Sequence, residues 1–190
     1  MTNLTIDLES IPMTDEQFFV LCQNNRDLRF ERNANGDLII MSPTGGETSN
    51  SNAGLTAQLW VWNEQNKLGK VFDSSGGFKL PNGANRSPDA AWMLLSHWNN
   101  LTAEQHKKFL PVCPDFVVEL LSPSDSLKTT REKMAEYRDN GARLGWLINR
   151  RSKQVEIYRP SEEVEILESP NSLSGETVLP GFKLNMQSIW

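Results

Sequence analysis

Glu119 interrupts an apolar run. Phe116, Val117 and Val118 precede it, and Leu120 and Leu121 follow. The β-branched content, bounded by Pro114 and Pro123, predicts a strand over Asp115–Leu121. An ionised carboxylate inside such a strand is costly unless it is paired or bound to a metal. Asp89 has a similar setting: Pro88 precedes it, and Ala90, Ala91, Trp92, Met93, Leu94 and Leu95 follow. If the two strands are neighbours, the two carboxylates can converge on one hard cation. Mg²⁺ takes oxygen ligands, often one or two carboxylates plus waters and a substrate phosphate. Without a cation two close carboxylates repel, and one stays protonated. Each acid alone also has a simpler account, a buried ion pair for Glu119 and a turn-capping role for Asp89.

Phosphate chemistry needs a positive charge nearby. Lys133 lies on the helix predicted to follow the Glu119 strand, and Lys128 is a weaker candidate five residues earlier. A lysine ammonium beside the acids can stabilise an attacking hydroxide or a pentavalent phosphate. An exposed helix lysine is the ordinary alternative. Tyr137 lies four residues on from Lys133 and shares its helix face, where it orients the lysine or packs.

The elements that must hold these residues can be read from pattern. Thr14 and Gln17 form a capping box opening a helix over about Asp15–Asn25. Strands Leu28–Arg32 and Asp37–Met41 make a hairpin around Asn33–Gly36. A long helix runs from about Glu47 to Leu68, with Leu55, Leu59 and Trp62 on its apolar face and Gly69 as its expected C-cap. Strands are predicted at Lys70–Asp73, Gly77–Leu80 and Pro88–Leu95, then a short helix capped by Thr102 and Gln105 through Lys108. After the Asp115–Leu121 strand come a helix over Ser126–Asn140, closed by Gly141, and a hairpin of Leu144–Asn149 and Gln154–Arg159. Val164–Leu167 and Thr177–Leu179 are candidate further strands. This order predicts a mixed β-sheet core flanked by helices, an α/β (α+β) fold.

With 190 residues, 38% hydrophobic and 23% charged, the chain suits one globular domain, residues 1–190. No apolar run reaches the roughly 18 residues of a membrane helix, and the N-terminus lacks a secretory pattern. The expectation is a cytoplasmic protein with no membrane contact. Cys22 and Cys113 do not make a disulfide framework and are expected to be buried thiols. The net charge of −5 gives no global sign of nucleic-acid binding. The segment Leu127–Arg159, however, holds nine Lys/Arg against four Asp/Glu, or +5. It reads either as a solvated helix and hairpin or as a local phosphate-facing surface. Trp60, Trp62, Trp92 and Trp146 are assigned to the core. The chain has no GxSxG elbow and neither GxxxxGK[ST] nor GxGxxG, and its two histidines and two cysteines lack zinc spacing.

Ser87-Pro-Asp-Ala-Ala-Trp92, Pro114-Asp-Phe-Val-Val-Glu-Leu-Leu-Ser-Pro-Ser-Asp125, Lys133-Met-Ala-Glu-Tyr137, Gly141 and Trp146-Leu-Ile148 together resemble the Uma-two family of the PD-(D/E)XK nuclease superfamily. Gly36-Asp-Leu-Ile-Ile-Met-Ser-Pro43 also matches. The resemblance covers a core of about residues 15–159 and leaves 160–190 as a C-terminal extension. It implies a restriction-endonuclease-like fold and a Mg²⁺-dependent endonuclease, with Mn²⁺ as a substitute. Asp89 would be the acid of the PD motif and Glu119 the acid of (D/E)XK, both binding the metal. Glu47, at the start of the long helix, is similar to an acid that many superfamily members carry there to hold a water; a favourable acid at a helix N-terminus is the alternative. The lysine expected two residues after Glu119 is Leu121, so Lys133 would replace it from the next helix.

The expected partner is DNA, and analogy with nucleases that cut both strands suggests a homodimer. The competing expectation is a non-catalytic binding module for nucleic acid or protein that keeps the fold. A third is a structural protein whose acids form buried ion pairs.

Overall fold

The computed structural model describes residues 3–190. Strand β1 (Leu4–Ile6) precedes helix α1 (Asp15–Asn24), whose capping box forms as expected from Thr14 and Gln17. β2 (Arg29–Arg32) and β3 (Leu38–Met41) make the expected hairpin. The long helix α2 (Gly46–Asn66) follows, then β4 (Gly69–Asp73), β5 (Phe78–Lys79), β6 (Asn85–Arg86) and β7 (Ala90–Leu94). A short helix α3 (Leu95–Asn99) extends the β7 chain. β8 (Phe116–Leu121), α4 (Leu127–Asp139), β9 (Leu144–Asn149), β10 (Gln154–Tyr158) and β11 (Glu165–Glu168) complete the main body. β12 (Ser172–Ser174) and β13 (Lys183–Asn185) form a terminal hairpin.

The main sheet has the order β11-β10-β9-β8-β7-β4, and its one parallel pair is β8 with β9, joined by the crossover helix α4. Alternate residues of these strands feed two apolar layers. Trp92, Phe116, Val118, Leu120, Trp146 and Ile148 face α2 (Leu55, Leu59, Trp62) and the C-terminal segment. Ala91, Met93, Val117 and Leu147 face Met134 and Tyr137 of α4, with Phe78, Leu80 and Leu110. A second sheet, β1-β3-β2-β6-β5, stands beside this one and supplies a wall of the site.

Several details differ from the sequence reading. Gly69 does not cap α2; Lys67 takes the left-handed position at φ 55°, and Gly69 opens β4. A Cβ on Gly69 would lie 2.1 Å from the Met93 carbonyl oxygen and 2.4 Å from the Trp92 ring, so glycine is there for close strand approach. The Thr102–Gln105 capping pair forms but opens only a 3₁₀ turn, Gln105–Lys107. Residues 177–179 are no strand: Val178 and Leu179 sit buried in the turn between β12 and β13. The C-terminal segment belongs to the core, through Leu173, Phe182, Leu184, Met186 and Ile189. Trp60 is 54% exposed, against expectation, while Trp62, Trp92 and Trp146 are buried. Cys113 is buried and Cys22 only partly; both are free thiols.

Candidate active site

β7 and β8 pair antiparallel, with Ala90 opposite Val118 and Ala91 opposite Val117. Carrying that register one step further sets Asp89 opposite Glu119. The Asp89 carboxylate is fixed from two sides. Its Oδ2 accepts the Leu120 backbone N–H at 2.8 Å, and its Oδ1 accepts the side-chain amide of Asn52, on α2, at 2.9 Å. Glu119 is buried, and its Oε1 accepts both the Lys133 ammonium at 2.9 Å and the Tyr137 hydroxyl at 3.0 Å. Lys133 and Tyr137 lie one helical turn apart on α4, the face that packs on β8. The expected spacing therefore delivers the lysine to the acid. Lys128 does not reach it; its side chain is 87% exposed and meets Glu132 at 3.9 Å.

The centre contains partners that the sequence did not announce. Glu31, on β2, is buried; its Oε1 takes the Lys133 ammonium at 2.8 Å and the Ser87 N–H at 2.9 Å. Its Oε2 pairs with Arg86 at 3.1 Å, and the Arg86 Nε reaches Glu136 of α4 at 2.5 Å. The small sheet thus locks Lys133 between two carboxylates. Glu31 sits in Arg29-Phe-Glu-Arg32, which reads as one strand of an exposed hairpin; Arg86, Ser87 and Lys133, all distant in sequence, close over it.

Electrostatics follow from burial. The Glu119 carboxyl is pushed up to about 7, chiefly by desolvation; Lys133 opposes that rise, while Asp89 and Glu31 add to it. Asp89 is raised too, again first by desolvation, against the Leu120 N–H and the charges of Lys133 and Arg29. Glu31 is held below its usual range because Lys133 and Arg86 outweigh its burial. Burial alone would pull the Lys133 ammonium down, but Glu119 and Glu31 carry it above the ordinary lysine range. Lys133 is therefore a fixed positive charge and not a proton acceptor at neutral pH.

Asp89, Glu119, Lys133 and Glu47 line one cleft of about 960 Å³. Glu47 stands in the first turn of α2, exposed, with no ion pair among the described residues. Among the described residues no three His, Cys, Asp or Glu side chains gather in a ready-made metal cluster. Mg²⁺ does not need one, since it keeps several waters and takes one or two carboxylates. Asp89 and Glu119 offer that hard oxygen set. Burial raises both carboxyls, and a divalent cation would favour their charged forms against that desolvation. The donor set and its charge fit such an ion.

The basic segment 127–159 is dispersed. Arg131 binds Glu156, Arg138 binds Asp139, Arg143 approaches Asp115 and Arg159 binds Glu176, while Lys133 is in the buried centre. It is not one continuous phosphate-facing surface; Arg150 and Arg151 lack carboxylate partners among the described residues.

The mixed sheet, its crossover helix and the two opposed acids define a restriction-endonuclease-like fold. The structure is similar to a solved protein from Anabaena variabilis ATCC 29413 described as a "putative nuclease belonging to DUF820", with a TM-score of 0.77, 20% identity, and coverage of 94% of this chain and 97% of that one. Residues 15–187 match the Uma2 (Uma-two) family, described as "Putative restriction endonuclease", and the chain belongs to that family. The match runs past residue 159 and takes in the terminal hairpin that completes the core. A search of curated proteins gives no match. Among the described residues no helix is long and apolar enough to cross a membrane.

Proposed function

We propose that this protein is a Mg²⁺-dependent endonuclease that hydrolyses DNA phosphodiester bonds. The observation that carries the reading is the Lys133 ammonium, 2.9 Å from Glu119 Oε1 in a cleft also lined by Asp89. Asp89 and Glu119 would hold the cation, with Mn²⁺ as a substitute. When bound, it would lower the pKa of a water and offset charge on the scissile phosphate. Asn52 and the Leu120 N–H keep the Asp89 carboxylate in one orientation. The Tyr137 hydroxyl does the same for Glu119. Lys133, charged throughout the working range, stabilises negative charge on the attacking and phosphoryl oxygens. Glu47, at the open rim, orients the attacking water. A cytoplasmic setting belongs to this reading, and so does a homodimer, which would serve cutting of both strands.

A second reading, a binding module without catalysis, draws on the same network: Lys133 is already shared by two carboxylates, and Leu121 stands where the motif lysine is expected. Supercoiled plasmid separates the two. Nicked or linear product with Mg²⁺ or Mn²⁺, abolished by a chelator, supports the nuclease. DNA binding without cleavage of any plasmid or oligonucleotide supports the module.

A further inference from the structure

The chain has ten arginines, and six of them pair with carboxylates: Arg32, Arg86, Arg131, Arg138, Arg143 and Arg159. Among the described residues four have no such partner. One, Arg26, bonds to Gln23 on the surface. The other three border two adjoining clefts among the described residues. Arg29 lines the cleft of Asp89 and Glu119. Arg150 and Arg151 line a second cleft of about 700 Å³, which meets the first along Glu47, Ser122, Pro123 and Asp125. In an acidic chain with carboxylates to spare, unpaired guanidinium groups gathered at one continuous opening indicate an anion that is not part of the protein.

The placement of Arg150 is built. It occupies the turn after β9, and its Nη1 and Nη2 donate to Ser51 Oγ at 3.1 Å and Thr48 Oγ1 at 2.8 Å. Both acceptors are buried neutral hydroxyls on α2. They fix the fork without cancelling its charge. The neighbouring turn is held by Asn149, whose Oδ1 accepts the N–H groups of Arg151 and Ser152 at 3.1 and 3.3 Å. A planar guanidinium with free N–H groups matches phosphate oxygens.

We infer that the second cleft binds the phosphodiester backbone of a nucleic-acid strand through Arg150 and Arg151, so that the substrate extends past the hydrolytic centre as a polymer. Arg29 contacts it on the other cleft. The inference rests on the nuclease reading. It excludes isolated phosphomonoesters and single nucleotides as the preferred substrate, because they cannot span both clefts.

The test is equilibrium binding of fluorescently labelled duplex and single-stranded DNA oligonucleotides, in chelator to prevent cleavage, over a series of salt concentrations. Arg151→Gln carries no folding risk, since its side chain is exposed and makes no bond among the described residues. Arg150→Gln is compared with Arg150→Lys, with thermal unfolding as the check on fold. Removing one phosphate contact lowers the slope of log affinity against log salt by about 0.9 on duplex and about 0.7 on single strand. The inference expects that loss in Arg151→Gln, in Arg150→Gln, and twice over in the double variant, with the slope restored by Arg150→Lys. Folded variants that bind with the wild-type affinity and slope overturn it, while wild-type binding leaves the nuclease reading standing. If the wild type binds no DNA, both fall.

Discussion

The Lys133 ammonium on α4 lies 2.9 Å from Glu119 Oε1 on β8 and 2.8 Å from Glu31 Oε1 on β2. One cation therefore ties the crossover helix, the central strand and the small sheet together. The side chain is nearly buried, so the contacts act at low dielectric. Lys133 serves the structure as well as any chemistry.

Replacing Lys133 by Met should therefore destabilise the fold by about 3–5 kcal/mol at alkaline pH, because two buried carboxylates lose their shared partner. Adding Glu31→Gln should recover part of the loss. Urea unfolding of the single and double variants without metal measures both. Equal stability of Lys133→Met and wild type would contradict the geometry.

Metal affinity should rise with pH through about 7, because Glu119 must lose its proton to bind a cation. The sign for stability is opposite. A carboxyl raised from 4.5 to about 7 holds a proton in the folded state that the unfolded chain has lost, so its contribution declines as pH rises across that window. Asp89 is shifted the same way. Glu31 is shifted down and acts oppositely, its contribution fading as pH falls below its unfolded value. Melting curves over this range, with and without Mn²⁺, should show the metal-induced increment growing with pH. An increment independent of pH would exclude Glu119 as a ligand.

Tyr137→Phe removes the hydroxyl that donates to Glu119 at 3.0 Å. Where Glu119 is ionised the loss should be roughly 1.5–3 kcal/mol, the usual range for a hydrogen bond to a charged group. The midpoint for metal binding should also move to higher pH, since the charged carboxylate has lost a donor. Metal titrations at several pH values read that shift, which a packing role alone would not produce.

Much of this centre was legible because burial makes acids conspicuous. Glu119 stood out among apolar neighbours in one strand, and Asp89 at the entry to another. Lys133 was a candidate from its place on the helix after the Glu119 strand, the family resemblance cast it as the replacement for the motif lysine, and Tyr137 followed from helical spacing. Glu31 was hidden for the opposite reason: it shares its strand face with the polar Arg29 and Asn33 like an exposed residue, and its partners Arg86, Ser87 and Lys133 come from far along the chain. Arg86 occupies a two-residue strand with no pattern of its own. Asn52 looks like an ordinary polar helix position until α2 meets β7. The terminal segment escaped because its apolar residues are scattered among Ser, Gly and Pro; they meet only when the β12–β13 hairpin folds onto the sheet. Gly69 reads as a cap because a glycine after a helix usually is one, whereas here a neighbouring strand and Trp92 require it.

Glu47→Gln should separate the rim from the core. Glu47 is exposed and unpaired among the described residues, so stability should stay within about 0.5 kcal/mol of wild type. If Glu47 orients the attacking water, single-turnover cleavage should slow even though DNA affinity in chelator does not fall. An unaltered rate would remove Glu47 from the mechanism and leave it as a favourable helix-terminal charge.

Plasmid cleavage rates decide whether Asp89, Glu119 and Lys133 form one hydrolytic centre. Wild type, Glu119→Ala, Lys133→Ala and Lys128→Ala, each verified as folded, would be timed on supercoiled plasmid with Mg²⁺ or Mn²⁺ in excess. Wild type and Lys128→Ala should cleave with metal at matching rates, and the other two should not cleave. Cleavage by Glu119→Ala at the wild-type rate would contradict such a centre.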